Sequence, residues 1–105
     1  MQLTELKEQA SKLAKEHSEL VNEVVNYVKI YKANHITINC FNTYKKRYMW
    51  RFDYRKVKYF DKQIKKLLDE QNALDHAIVY CSNKAELLME EYLHTSKEYI
   101  ERICQ

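Results

Sequence analysis

A chain of 105 residues, 46% hydrophobic and 31% charged, fits a single domain over residues 1–105, near the small end for burying a self-sufficient core. It contains no Gly and no Pro, which excludes the Walker loop and the dinucleotide fingerprint, because both use glycines to bring backbone amides close to phosphate. The formal net charge is +3, no run of about 18 apolar residues is present to span a bilayer, and MQLTELKEQ lacks the basic and apolar regions of a signal peptide.

The expectation is therefore a soluble, intracellular protein, cytoplasmic or otherwise, without a membrane partner. The three cysteines, Cys40, Cys81 and Cys104, are odd in number and not closely paired, which fits free thiols in a reducing compartment better than a disulfide framework.

The first predicted element is a helix. Leu3, Leu6, Ala10, Leu13, His17, Leu20, Val24, Tyr27 and Tyr31 recur at alternating steps of three and four, as the a and d positions of a heptad. Thr4 is an acceptable N-cap, although Lys7 stands where a capping box wants Glu or Gln. Ala33-Asn34-His35 offers a stop, since Asn takes the left-handed position that Gly usually fills.

The next stretch reads as strand. Ile36, Ile38 and Cys40 alternate with Thr37, Asn39 and Phe41. In the following RYMWRFDY, an extended backbone places Tyr48, Trp50, Phe52 and Tyr54 on one face and Arg47, Met49, Arg51, Asp53 and Arg55 on the other. On a helix the same four aromatics scatter over more than half the circumference. A β-hairpin at about 35–55, with its loop over 42–46, follows from this reading.

A second seam runs from Val57 through Phe60, Ile64, Leu67, Gln71, Leu74, Ile78 and Cys81, then through Ala85, Leu88, Tyr92, Thr95 and Tyr99 without a slip in register. Ser82-Asn83 followed by Glu86 resembles an N-cap with its capping partner, which predicts a bend and two helices, about 56–81 and 83–104. An unbroken helix would preserve the same phase. With the chain reversing near Tyr44, His17 and Gln71 become near neighbours in a polar layer that fixes register.

The expected fold is mainly α: a long N-terminal helix, the hairpin, then two C-terminal helices packed as a coiled-coil-like antiparallel bundle. The alternative is an all-α helical bundle.

Charge is segregated along the chain. Residues 1–43 are balanced, residues 44–66 hold ten basic and two acidic groups for +8, and residues 67–105 hold three and eight for −5. Arg55, Lys58, Lys62, Lys65 and Lys66 form a stripe roughly opposite the second seam. If the last helix folds back from Ser82, Glu98 comes level with Lys65 and Lys66 and masks part of that stripe.

Catalytic and metal chemistry find no foothold. His17, His35, His76, His94 and the cysteines include no pair at zinc spacing, and His76 and Cys81 are five residues apart, off a common helix face. The carboxylate pairs Asp69-Glu70 and Glu90-Glu91 sit in helical charge runs, and no Ser or Cys has a positioned His. The expectation is no enzyme and no cofactor.

What remains is a small interaction module, an assembly factor, adaptor or inhibitor, acting as a homodimer on the surface of a protein partner. Its contact residues are Arg47, Tyr48, Trp50, Arg51, Phe52, Tyr54, Arg55, Lys58, Lys62 and Lys65, because aromatics and Arg dominate binding hot spots. The alternative is a nucleic-acid-binding protein that uses the basic groups of this region for phosphates and the aromatics for stacking.

Overall fold

The computed structural model describes residues 2–105. Two long helices, α1 over Leu3–Trp50 and α2 over Tyr54–Ile103, pack antiparallel, and no strand occurs among the described residues. The all-α alternative is the one adopted.

The helices follow from one uninterrupted pattern. The three-four spacing of the first seam does not stop at Tyr31 but continues through Asn34, Ile38, Phe41, Lys45 and Tyr48, all buried or half-buried. Residues 35–50 are therefore helical, and the expected β-hairpin is not formed. Their local β preference loses to a seam that buries against α2, whereas a two-stranded hairpin alone is marginal in water. Thr37 and Thr43, poor helix formers in isolation, donate their hydroxyls to the carbonyls of Ala33 and Asn39 at 3.0 and 3.1 Å, one turn back.

The break into two helices expected at Ser82-Asn83 is also absent: α2 continues through it without interruption. Cys81 and Ala85 on either side are both buried in the same seam, and without Gly or Pro nothing local breaks the helix between them. Glu98 does not reach Lys65 or Lys66, and instead accepts from Arg102 on its own helix at 3.2 Å.

Two compact units are described separately. The first comprises the chain up to Val25 together with Ile78–Gln105, and its buried positions are Leu6, Leu13, Cys81, Ala85 and Thr95. Here the Cys81 thiol faces a Glu23 carboxylate oxygen at 3.7 Å. Burial pushes the thiol above its ordinary pKa, and the Glu23 charge adds to the shift.

The second unit, Asn26–Ala77, buries Ile38, Gln71 and Leu74. Gln71 donates its Nε2 to the Tyr31 carbonyl at 3.1 Å, while its buried Oε1 has no partner among the described residues. Asn34 donates to Glu70 at 3.1 Å across the same pair of helices. Pairs such as Asn34 with Glu70 and Tyr44 with Phe60 are centred on position 52, not on Tyr44. That eight-residue displacement removes His17 from the layer expected with Gln71. Gln71 meets the Tyr31 backbone instead, and His17 belongs to the other unit.

Candidate interaction site at the helix junction

The chain reverses in three residues, Arg51, Phe52 and Asp53. The Asp53 amide donates to the Tyr48 carbonyl at 3.0 Å and the Phe52 amide to the Met49 carbonyl at 3.1 Å, the paired six-to-one and five-to-two bonds of a Schellman motif. That motif requires a left-handed residue at its C′ position, and the occupant is Phe52, at φ 56°. Among the described residues it is the only non-glycine with positive φ, and a bulky aromatic is a poor occupant of that region.

Asp53 then starts α2. Its carboxylate accepts the Lys56 amide at 3.4 Å, the third residue of the helix, as an N-cap does, and its carbonyl accepts the Val57 amide at 3.2 Å. One acidic residue thus completes the end of α1 and caps the start of α2, which lets a glycine-free chain turn tightly.

Behind the turn lies an aromatic cluster centred on Phe60. Its ring meets Phe41 at 5.6 Å, Tyr44 at 6.0 Å, Tyr48 at 5.7 Å and Tyr59 at 5.4 Å between centroids. Tyr48 also carries Lys56 Nζ at 4.6 Å and the Arg51 guanidinium at 5.9 Å from its ring centre, and Arg47 lies 5.7 Å from the Tyr44 ring. Such cation–π contacts contribute about 0.5–1 kcal/mol each at exposed sites. They hold three cations beside ring faces in a segment whose net charge is +8. Lys45 is paired with Asp61.

The aromatics expected to share one face do not. Tyr48 packs into the Phe60 cluster, but Trp50 is 85% exposed, Phe52 74% and Tyr54 62%. They do not share one element: Tyr48 lies on the seam of α1, Trp50 ends that helix, Phe52 sits in the turn and Tyr54 starts α2. Phe52 and Tyr54 touch edge to face at 6.5 Å, and Met49, Trp50 and Phe52 line an open recess of 290 Å³. Around this apolar surface stand Arg47, Arg51 and Arg55, with Lys58, Lys62 and Lys65 following along the exposed side of α2.

Two members of the site were not anticipated. Met49 falls on the charged face of the strand pattern, and Lys56 carries no strand or seam signature. Both were findable once Asp53 was read as an N-cap, since that places the turn and puts Met49 in the last turn of α1 and Lys56 in the first of α2.

No group of three or more His, Cys, Asp or Glu side chains among the described residues is arranged to hold a metal ion, and no described helix is long and apolar enough to cross a membrane. Comparisons with protein-family models, curated proteins and solved structures find no match to this chain.

Proposed function

We propose that this protein is a non-enzymatic interaction module, an assembly factor, adaptor or inhibitor, that inserts its helix junction into an apolar pocket with an acidic rim on a protein partner. Phe52 carries the reading. It occupies a left-handed position at a cost, and at 74% exposure it returns little to the fold. Strain that the fold does not use points to contacts outside the chain. Trp50, Met49 and Tyr54 extend the apolar surface, and Arg47, Arg51 and Arg55 supply the charge that an acidic rim would meet.

Trp50 is the only tryptophan in the chain, so its fluorescence reports directly on this site. Affinity capture should retain a partner on the wild type and lose it on the Trp50→Ala/Arg51→Ala variant with helicity intact. Equal capture by the two proteins would refute the assignment.

A second reading is favoured by the stripe Arg55, Lys58, Lys62 and Lys65, all exposed and none in an ion pair among the described residues. This stripe could follow a phosphate backbone while Trp50 stacks on an unpaired base. It requires a Trp50 fluorescence change on titration with single-stranded oligonucleotide at low salt, weakening steeply toward physiological salt. No response even at low salt would dismiss it.

A further inference from the structure

A second surface lies in the unit formed by the chain up to Val25 and Ile78–Gln105. An open groove of 370 Å³ runs between its two helices, lined by Ala10, Ser11, Ala14 and Ser96 together with Tyr92 and Ile100. With the seam written as a and d, Ser11 and Ile100 are b positions and Ala14 and Ser96 are e positions, so both helices present their e and b positions to one side. Ile100 within the groove and Leu93 on the same helix are each 58% exposed, and Ile103 53%.

Charge avoids this side. The unit holds ten acidic and six basic groups, yet of the acids only Glu86 occupies an e or b position, and of the bases only Lys7. The other nine acids fall at c, f and g. In Asn26–Ala77, by contrast, four b positions are Lys32, Lys46, Lys58 and Lys65, so the neutral stripe belongs to the first unit alone.

We propose that a second copy of this chain docks on this face, forming a two-fold dimer in which α1 of each copy lies against α2 of the other. Two observations select a copy of the chain as the occupant. The first is area. A chain of 12.8 kDa exposes 8278 Å², whereas a compact monomer of that mass exposes about 6,300 Å². The surplus of about 2,000 Å², taken over the whole chain, exceeds the roughly 800 Å² per partner that a stable dimer buries.

The second is fit. With the two-fold axis along the helices, residues at one level meet across the interface, and the levels follow the pairing of Glu23 with Cys81. Ser11 then faces Leu93 of the other copy, and Ala14 faces the turn that carries Met89. Toward the other end of the unit the sizes exchange, and Val21 faces Ser82. At these three levels a large side chain meets a small one, and at the end of the stripe the exposed Val25 and Val79 meet as an apolar pair; every contact occurs twice as a two-fold requires, and each helix has only antiparallel neighbours, as in a four-helix bundle.

Light scattering at increasing concentration should give twice 12.8 kDa for the wild type and 12.8 kDa for Leu93→Glu/Ile100→Glu. Both side chains are exposed in the single chain, so helicity by circular dichroism should persist in the variant. A monomeric wild type at about 100 µM, or a variant that stays dimeric, overturns the proposal. To place the contact independently, chains carrying Ser11→Cys are mixed with chains carrying Leu93→Cys, the native cysteines being replaced by Ser. A mixed disulfide dimer is expected, and a dimer that forms no such link also overturns it.

Discussion

Replacing Phe52 with Asn should stabilise this protein while removing its binding. In the left-handed region a side chain with a β carbon crowds the following carbonyl, at a cost of about 1–2 kcal/mol, which Asn offsets in part because its short polar side chain hydrogen-bonds locally. Against this gain stands the loss of the Phe52 edge contact on Tyr54 at 6.5 Å, worth about 0.5 kcal/mol for an exposed pair. The net is a stabilisation of about 1 kcal/mol, or roughly 4 °C in melting temperature for a domain near 100 residues. Phe52→Gly should gain less, because the extra freedom of glycine in the unfolded chain takes back about 0.5–1 kcal/mol. Phe52→Leu keeps the backbone cost and should gain nothing. Thermal unfolding followed by circular dichroism at one fixed protein concentration measures all three, and the same proteins go into the capture assay. If Phe52→Asn melts several degrees below wild type, Phe52 serves the fold and the inference from strain to function fails.

Gln71→Leu should raise the melting temperature by about 1 kcal/mol equivalent. Its buried Oε1 has no partner among the described residues, the cost of such an orphan is about 1–3 kcal/mol, and the Tyr31 carbonyl that loses Nε2 keeps its helical partner; a lower melting temperature would show that the polar contact stabilises the seam. Cys81 should be alkylated far more slowly at pH 8 than the exposed Cys40 and Cys104, because burial and Glu23 hold it as the neutral thiol. Glu23→Gln should speed that reaction, and equal rates at the three thiols would contradict the structure. The sign for stability follows: a thiol whose folded pKa is raised contributes below its unfolded pKa, and that contribution fades as pH climbs through and above the ordinary thiol range.

The second seam was legible from Val57 to Tyr99 because apolar residues fill nearly every a and d position. The first was legible only to Tyr31, because Asn34 and Lys45 occupy later seam positions and hide the phase that Ile38, Phe41 and Tyr48 carry onward. A strict alternation over RYMWRFDY then imitated a strand. Periodicity two and periodicity 3.6 compete over a span this short, and continuity with a seam already under way was the better guide. Asp53 was the overlooked punctuation. In a chain without Gly the turn had no glycine signal, and it fell to an N-cap Asp and a strained Phe. Composition marked this aromatic-basic segment as the candidate surface, but the strand reading put its four aromatics on one face, whereas the end of α1, the turn and the start of α2 leave Trp50, Phe52 and Tyr54 exposed and Tyr48 on the seam.

A two-helix coiled coil constrains mainly its a and d positions and leaves b, c and f free, since Lys, Glu and Leu are all good helix formers and any mixture of them would serve an isolated hairpin. This chain does not mix them. In one unit nine of the ten acids avoid the e and b positions, leaving that face neutral and apolar apart from Glu86 and Lys7, and in the other the bases occupy the outward stripe next to a turn with three exposed aromatics. Helix propensity does not select this sorting, and neither does the seam, whose deepest side chain among the described residues is Leu6, at 1% exposure. Sorting that the single chain does not need is explained by surfaces that are complete only in contact with something else, and the two faces differ enough in chemistry to meet two different occupants.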